Sequence, residues 1–330
     1  MRIMICGGAG YIGSHVAKSV AEAGHEPVVF DNLIAGHRWA VRWGPLVEGD
    51  LMDRGRIEAA IREHGIEAVV QLAGSINVGE SMQDPGKYFR NNFSISLNLL
   101  EAMDATGVKR IVFSSSAAVY GIPEGNPITE EAAKAPINPY GEAKWFVERA
   151  LDWYTRARGF QCLTLRYFNA AGADPDGEIG EMHSPETHLI PLVILGAMGV
   201  RPPVKVFGMD YPTADGTAVR DYIHVRDLAR AHLLGVEYLA RGGESTAANL
   251  GTGQGVSVLE VIGAVGEVSG KPVPYERFAR REGDPPALVA AAVKASQLLG
   301  WRAERSGIRQ IVEDAWRWSG KARREGLYSE

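Results

Sequence analysis

The chain has 330 residues but only two cysteines, Cys6 and Cys162, and both lie in apolar segments predicted as strands. Two isolated thiols in strands are typical of buried free cysteines rather than of a disulfide or a redox pair. No pair or cluster of cysteine and histidine has the spacing of a zinc site, so we predict no metal.

The sequence also lacks long apolar runs and a large excess of one charge. No apolar run reaches the ~18 residues of a membrane-spanning helix, and the first residues, MRIMICGGAG, turn to glycine too early for a signal peptide. The net charge of -5 favours neither nucleic acid nor an anionic membrane as a partner. We therefore predict a cytoplasmic protein without either partner.

The first half of the chain alternates short apolar strands with helical patterns. This order predicts an α/β fold with a Rossmann-like, doubly wound parallel sheet, covered by helices on both faces. The predicted strands are 2–6, 27–30, 46–47, 68–72, 110–114 and 162–167. The predicted helices between them are 12–23, 53–63, 93–106 and 140–158.

The character of the sequence changes after residue 169. Residues 170–188 are rich in Gly, Pro, Asp and Glu and indicate a long irregular connection. The remainder mixes short strands with helices, among them 189–199, 225–240 and 259–268. We predict a first domain at 1–169 and a smaller mixed α/β domain at 170–330, with part of 219–240 as a candidate segment that returns to the first.

A glycine-rich turn follows the first strand and opens the first helix. Gly7, Gly10 and Gly13 have the spacing G-x-x-G-x-x-G. Glycines there permit a tight turn, let the backbone approach a pyrophosphate and bring the helix close to the strand. The N-terminus of the helix then offers free N–H groups to the phosphates. The turn therefore predicts a dinucleotide site in the first domain.

Acidic residues after the second and third strands extend this site. Asp31 ends the second strand, where a carboxylate binds the adenosine ribose and repels a 2′-phosphate, so NAD is favoured over NADP. Asp50 and Leu51 follow the third strand and suit contacts to the adenine.

Tyr140 and Lys144 are four residues apart and so lie on one face of a helix. A nearby ammonium favours the phenolate and lowers the pKa of a tyrosine from its usual ~10, which makes it a usable base. Ser116 lies just beyond a predicted strand, at the edge where open α/β sheets bind ligands. We predict that Ser116 hydrogen-bonds a substrate oxygen, Tyr140 exchanges its proton, and Lys144 tunes the tyrosine and binds the nicotinamide ribose.

Nine blocks spanning residues 6 to about 290 carry a family resemblance: GGAGYIGSH, FDNL, AGSINVGESM, SSAAVYG, NPYGEAK, LRYFNAAGA, VRDYIHVRDLA, NLGTG and RREGDPP. The sequence resembles the extended short-chain dehydrogenase/reductase family and, within it, the UDP-glucose 4-epimerases. The resemblance implies reversible 4-epimerisation of UDP-glucose and UDP-galactose through a transient 4-keto intermediate, with tightly held NAD as the hydride carrier. It also implies a homodimer, with the helices at 93–106 and 140–158 as the candidate interface.

The resemblance implies binding residues by position. The cofactor would be lined by Tyr11, Ile12, Asp31, Asn32, Asp50, Leu51, Leu72, Ala73, Asn91 and Phe168. The UDP-sugar would be held by Asn169, Leu189, Phe207, Arg220, Arg281 and Asp284, together with Ser116 and Tyr140. Two arginines can clamp a diphosphate by forked hydrogen bonds. Asp284 can accept from ribose hydroxyls, and Phe207 can pack against uracil.

Three positions depart from relatives or tune specificity. Ile76 replaces a lysine that some epimerases place near the nicotinamide ribose. His188 stands where some relatives have an asparagine, and it either replaces that substrate contact or is an exposed histidine. Leu288 matches a gatekeeper beside the sugar, where a tyrosine is associated with exclusion of N-acetylated sugars and a small residue with their admission. Leucine is intermediate in volume, so steric reasoning leaves the choice open.

Four other functions are weighed against this one. Another UDP-sugar 4-epimerase, acting on a pentose, a uronic acid or an N-acetylated hexose, would share the catalytic residues. A nucleotide-sugar dehydratase would need Asp and Glu where this chain has Ala117 and Ala118. A dehydrogenase would turn over external NAD, and a noncatalytic NAD-binding regulator would leave the Ser-Tyr-Lys set without a role.

Overall fold

A seven-stranded parallel sheet forms the centre of the protein, whose computed structural model describes residues 1–281 and 283–327. The strand order is β11-β6-β5-β4-β1-β2-β3. The strands are β1 (Arg2–Cys6), β2 (Glu26–Asp31), β3 (Leu46–Glu48), β4 (Ala68–Gln71), β5 (Arg110–Ser116), β6 (Gln161–Tyr167) and β11 (Thr246–Leu250). The predicted α/β class with a doubly wound parallel sheet is confirmed.

Helices cover both faces of this sheet. The helices are α1 (Tyr11–Glu22), α2 (Arg54–His64), α3 (Val78–Gln83), α4 (Pro85–Tyr88), α5 (Ile95–Thr106), α6 (Pro139–Arg158) and α8 (Val225–Ala240), with a π-helical turn at Phe89–Ser94 and 3-10 turns at Arg38–Ala40 and Ala117–Tyr120. Side chains alternate between the faces along each strand. Ile3 and Ile5 of β1 pack with α1 and α8, whereas Met4 and Cys6 pack with α2 and α5.

Smaller sheets and a separate core lie beyond β6. In these sheets β7 (Asn169–Ala171) pairs with β10 (Tyr222–His224), β8 (Val204–Phe207) with β13 (Tyr275–Phe278), and β9 (Val219–Arg220) with β12 (Val256–Ser257) and β14 (Ala287–Leu288). The remaining helices are α7 (Leu189–Ala197), α9 (Val258–Ser269), α10 (Val293–Leu299) and α11 (Ile308–Arg324). Of these, α7, α9 and α11 share one hydrophobic core.

The predicted helices and strands are all present, with ends that differ by at most two residues. The sequence analysis did not identify β11, a short strand of mixed polarity that extends the main sheet beside β6. The division into 1–169 and 170–330 stays a prediction. Both α8, which packs against α1, and β11 join the main sheet from beyond residue 169.

The connection between β7 and α7 is irregular, as predicted, and side chains hold it against two helices. Lys18 of α1 extends its Nζ to within 2.8 Å, 2.9 Å and 2.8 Å of the carboxylates of Asp174, Asp176 and Glu178. Further along, the Trp318 Nε1–H of α11 donates to the Glu181 carbonyl at 3.0 Å. These polar contacts order a segment that has little regular hydrogen bonding of its own.

Both cysteines are free and buried, as predicted. Burial raises the pKa of the Cys6 thiol far above its usual range and that of Cys162 to about 12. Among the described residues, no helix combines the length and the apolar character that a membrane crossing requires.

A buried neutral histidine packs behind β5 and predicts acid sensitivity. The His232 Nδ1–H donates to the Leu228 carbonyl at 2.8 Å, so Nε2 accepts from the Ser114 hydroxyl at 2.6 Å. Burial lowers the pKa of His232 from 6.5 to about 4. The unfolded chain therefore binds one more proton between those pH values, and folding stability is lost as the pH falls through this window.

We expect this histidine to steepen the loss of stability in acid. Between pH 6.5 and about 4, the free energy of unfolding should fall by about 1.4 kcal/mol per pH unit more in the wild type than in His232→Gln. Urea titrations of both proteins at fixed excess NAD measure the difference, in which all other titrating groups cancel. Equal slopes would contradict the assignment of a neutral buried ring.

Candidate active site

The glycine turn between β1 and α1 has room for backbone only. Gly7 has a φ of +80°, and a Cβ on Gly13 would lie 2.1 Å from the Gly7 carbonyl oxygen. Gly10 precedes α1, and because it has no side chain it cannot cap the free N–H groups in the first turn of that helix. The turn therefore leaves those groups available to an anion, which is the arrangement that binds dinucleotide phosphates.

Asp31 lies at the carboxyl end of β2, directly beside this turn. Its Oδ2 accepts the Ala9 N–H at 2.9 Å, and its Oδ1 accepts the Leu33 N–H at 2.8 Å. Each oxygen keeps a further lone pair, so the carboxylate can still accept from a ligand hydroxyl. Asn32 donates to the Asp50 carboxylate at 3.1 Å, which joins the ends of β2 and β3.

The other predicted cofactor residues lie along the same edge or against it. The Leu72 and Ala73 N–H groups both donate to the Cys6 carbonyl, at 3.0 Å and 3.1 Å, and so bring the end of β4 to β1. The Tyr11 hydroxyl donates to the Gly172 carbonyl at 2.6 Å. Ile12 packs on the face of the sheet that α1 covers, and Leu51 is buried on the face that α2 covers. The Asn91 side chain donates to the Ser75 hydroxyl at 3.3 Å. Phe168 packs beside the Ala117–Tyr120 turn.

Ser116 and Tyr140 are brought together by a close contact between two turns. Ser116 ends β5 and accepts the Ala118 N–H at 3.2 Å. The Asn138 side chain caps α6 by accepting the Gly141 N–H at 2.8 Å. A Cβ on Gly141 would lie 2.6 Å from the Ala118 carbonyl oxygen, so only glycine lets α6 begin this close to the serine turn.

Lys144 lies one helical turn beyond Tyr140 and is buried. Its Nζ donates to the Ser114 carbonyl at 2.9 Å and lies 5.9 Å from the centre of the Tyr140 ring. Burial lowers the pKa of Lys144 to about 8, although the carboxylate of Glu148 opposes that change.

The surroundings of Tyr140 disfavour its phenolate in the protein alone. Burial raises the pKa of this tyrosine above the usual value, and a hydrogen bond with Ser116 opposes the rise. Desolvation of the phenolate dominates in the protein alone, and the lowering of this pKa by Lys144 stays a prediction. The ammonium is directed to the Ser114 carbonyl.

A buried ion pair that the sequence analysis missed supports helix α6. Arg166 of β6 donates through Nε to the Glu148 carboxylate at 3.0 Å, and Ser115 also donates to Glu148. Arg166 further donates to the Tyr120 hydroxyl at 2.9 Å. The sequence did contain a signal for this ion pair, because Glu148 lies four residues beyond Lys144 and so on the same face of the helix.

The predicted substrate residues form two pairs. Arg220 is bonded to the carboxylate of Asp284, and Leu288 is its neighbour in the parallel pairing of β14 with β9. The Arg281 guanidinium lies 4.2 Å from the centre of the Phe207 ring. Glu282, in the same sequence block, lies outside the described residues.

Three further substrate candidates lie near the starts of β7 and α7. The Asn169 side chain donates to the Asp221 carbonyl at 3.2 Å, and Leu189 begins α7. The His188 Nδ1 lies 2.8 Å from Glu181 and 3.1 Å from Glu186, so glutamates rather than open solvent surround that nitrogen. The roles of the predicted site residues stay predictions.

Comparison with known proteins identifies the family. The sequence profile of the NAD dependent epimerase/dehydratase family matches residues 3–251, about three quarters of the chain. The chain belongs to this family. The match covers the glycine turn, the Ser116 turn and helix α6.

Individual members of the family are similar over nearly their full length. The UDP-glucose 4-epimerase of Rhizobium leguminosarum bv. trifolii is 50% identical over 320 residues, 97% of this chain and 98% of the relative. The crystal structure of UDP-glucose 4-epimerase from Brucella ovis in complex with NAD has a TM-score of 0.94 at 48% identity, covering 96% of this chain and 97% of that one. The UDP-glucose-4-epimerase from Stenotrophomonas maltophila, with bound NAD and formylated UDP-arabinopyranose, has a TM-score of 0.95 at 41% identity, covering 98% and 99%.

Proposed function

We propose that this chain is an NAD-dependent UDP-glucose 4-epimerase that interconverts UDP-glucose and UDP-galactose. The observation that carries the proposal is the meeting of Ser116, Tyr140 and Lys144 at the end of β5, on the same sheet edge as the glycine turn. The 50% identity to the Rhizobium epimerase over nearly the whole chain supports this choice of substrate.

The residues at the sheet edge fit NAD. The tight turn at Gly7 and Gly13 and the uncapped start of α1 suit a pyrophosphate, and the Asp31 carboxylate suits the adenosine ribose. When bound, NAD supplies a reversible hydride acceptor for C4 of the sugar. Lys144 would bind the nicotinamide ribose, since its buried ammonium lies beside Tyr140.

Tyr140 would remove the proton from the sugar 4-hydroxyl and return it later in the same turnover. Ser116 would hydrogen-bond the 4-oxygen during each proton exchange. Burial raises the pKa of Tyr140 in the protein alone, and a further positive charge bound beside the phenol would lower it. The oxidised nicotinamide carries such a charge, so the base would be activated only when an oxidised cofactor is in place.

The arginines would hold the UDP portion of the substrate. Arg220 and Arg281 can each bind phosphate oxygens by forked hydrogen bonds. Arg220 is held by Asp284, which would also accept from the ribose hydroxyls. The Arg281 guanidinium lies over the face of the Phe207 ring, and a flat group such as uracil would pack on the same ring.

The decisive experiment for the reaction class uses the purified chain and UDP-galactose, without added NAD. We expect UDP-glucose to form, which requires retained cofactor and no net redox change. A steady rise in reduced-nicotinamide absorbance that depends on added NAD would indicate a dehydrogenase instead. Loss of water to a 4-keto-6-deoxy sugar would indicate a dehydratase, against which Ala117 and Ala118 argue.

Other UDP-sugars are the second candidate substrates, because the Stenotrophomonas relative holds a UDP-pentose derivative. In this chain Leu288 packs against the apolar cluster of the Ser116 turn, which includes Ala117 and Val119. A side chain there would limit the space beside the reacting sugar.

We expect Leu288→Tyr to reduce turnover of UDP-N-acetylglucosamine while UDP-glucose turnover is preserved. The larger ring would occupy the volume that an N-acetyl group needs. The test measures kcat/KM for both sugars in the wild type and in Leu288→Tyr. Steric discrimination of this size should lower kcat/KM for UDP-N-acetylglucosamine by a factor about ten or more times larger than that for UDP-glucose. Parallel changes for the two sugars would contradict a gatekeeper role.

We also propose a homodimer, formed through α5 and α6. On α6 the side chain of Trp153 is 60% exposed and that of Phe146 is 39% exposed. Phe146 also packs on Phe89 and Phe93, at ring distances of 5.9 Å and 5.8 Å. An exposed aromatic surface of this kind is typical of an interface. Sedimentation equilibrium at twice the chain mass of 35.7 kDa would support the dimer, and a monomer mass would exclude it.

A further inference from the structure

Four side chains of the β7–α7 connection converge on one point beside Tyr11. They are Glu181, His183, Glu186 and His188, here called the Glu/His cluster. Each offers a nitrogen or carboxylate oxygen, and these ligand atoms all lie within 4.8 Å of one another. The side chains of Glu181 and Glu186 are only 6% exposed, so water contributes little to their solvation.

The distances within the Glu/His cluster match a tetrahedral metal site. The His188 Nδ1 lies 2.8 Å from a Glu181 oxygen and 3.1 Å from a Glu186 oxygen. The His183 Nδ1 lies 3.2 Å and 3.6 Å from oxygens of the same two residues. Around a tetrahedral zinc ion with bonds near 2.1 Å, neighbouring ligand atoms are about 3.4 Å apart. The four histidine–glutamate distances bracket that value, and every other pair of ligand atoms lies within 4.8 Å.

One nitrogen of the cluster has no hydrogen bond to satisfy it. The Nδ1 of His183 is buried without a hydrogen-bond partner, although a Glu181 oxygen lies only 3.2 Å away. The short distance without hydrogen-bond alignment means that the lone pair or proton of this nitrogen is not directed at that oxygen. Buried ring nitrogens are normally paired. A ligand bond to a shared cation would satisfy this nitrogen together with the carboxylates.

A second group of acidic residues in the β7–α7 connection has its negative charge balanced by a lysine. Asp174, Asp176 and Glu178 surround the ammonium of Lys18. Among residues 1–281 and 283–327, no lysine or arginine lies within ion-pair distance of Glu181 or Glu186. Their charge must be balanced either by two protonated histidines or by one divalent cation held with neutral histidines. The second arrangement directs all four ligand atoms at one ion.

We propose that the Glu/His cluster binds one divalent transition-metal ion, of the zinc class, through two ring nitrogens and two carboxylates. The ligand set is closed and tetrahedral, which is typical of a structural rather than a catalytic ion. Our sequence prediction of no metal considered only cysteine and histidine spacing and so overlooked the carboxylates. The signal was Glu-x-His-x-x-Glu-x-His, four ligands within eight residues.

The ion would join the part of the protein that would bind NAD to the part that would bind the UDP-sugar. The His183 ring lies 6.3 Å from the ring of Tyr11, which belongs to the glycine turn, and His188 directly precedes α7 and Leu189. Metal binding would therefore hold the irregular connection between the cofactor turn and α7. Its effects would be seen in thermal stability and in KM for the UDP-sugar rather than in the chemical step.

The test uses the full chain without a histidine tag, since a tag would itself bind metal. The protein is incubated with ZnCl2, passed through gel filtration, and analysed for metal by plasma mass spectrometry. CoCl2 is added to a separate metal-free sample to record visible absorption. Glu181→Gln and His183→Gln are compared with Asp176→Asn, a matched change in the same connection whose carboxylate bonds Lys18.

We expect about one zinc per chain, and a tetrahedral cobalt spectrum that saturates at one equivalent, in the wild type and in Asp176→Asn. Glu181→Gln and His183→Gln should lose at least about tenfold in metal content and the zinc-dependent rise in Tm. A wild type that retains no zinc and gives no tetrahedral cobalt absorption would overturn the proposal and leave the cluster as a histidinium–carboxylate network. If a variant misfolds, the cobalt titration of the wild type alone decides whether the cluster binds a metal ion.

Discussion

Replacing Tyr140 by phenylalanine should lower kcat for UDP-galactose epimerisation by on the order of 10³-fold, because general acid–base catalysis contributes about 10² to 10⁴. The variant keeps the ring that packs beside Tyr88 and loses only the hydroxyl. We therefore expect an unchanged fold and an unchanged content of bound NAD. A coupled assay for UDP-glucose, with NAD measured after denaturation, separates loss of chemistry from loss of cofactor.

The same helix provides a matched control for this substitution. Tyr154 lies on α6 and packs on Phe160 in the core, away from the Ser116 turn. Tyr154→Phe makes the identical chemical change and should leave kcat within about twofold, since surface and peripheral changes rarely exceed ±0.5 kcal/mol. If Tyr140→Phe retained more than a tenth of wild-type kcat, the assignment of the proton exchange to Tyr140 would be wrong.

Adding one methyl group at Gly13 should abolish retention of NAD. The new Cβ would lie 2.1 Å from the Gly7 carbonyl oxygen and 2.7 Å from the Gly8 Cα. Both obstacles are backbone atoms, so no side-chain rotation relieves the contact and the turn itself must move. We expect Gly13→Ala to lose about 2–3 kcal/mol of stability and about 100-fold in NAD affinity. Calorimetric titration with NAD and thermal melts measure the two effects.

Gly263 supplies the corresponding control. It lies in the interior of α9, where a Cβ would meet no atom within 4 Å. Gly263→Ala should raise stability by up to ~1 kcal/mol, because alanine has the higher helix propensity, and should leave NAD binding unchanged. A Gly13→Ala protein with wild-type NAD content would refute the role of the turn as a backbone-only phosphate site.

Sequence reasoning worked best where the relevant residues are close along the chain. The glycine turn and the Tyr140–Lys144 pair each depend on spacing within one strand–helix junction or one helix, and the structure places them as that spacing indicates. The sheet was predictable for the same reason, since each of its first six strands is a local apolar run.

The features that were missed depend on contacts between distant segments. The bond from Arg220 to Asp284 spans 64 residues, and the pair of Arg166 with Glu148 joins a strand to a helix. The raised pKa of Tyr140 was missed because burial is a property of the packed molecule, whereas the spacing of Lys144 is a property of the helix alone. β11 has too few apolar residues to be recognised without its partner β6.

The late position of β11 has a consequence for synthesis on the ribosome. Six strands of the main sheet are complete once residue 167 has emerged, but β6 then keeps an unpaired edge, and α1 lacks the helix that covers it. Both gaps close only when α8 and β11, ending at residue 250, have also emerged. An open strand edge is prone to pairing with other chains. The nascent protein is therefore a candidate client for chaperones over those roughly 80 residues of elongation, which take about 4 to 16 seconds at typical bacterial and eukaryotic rates.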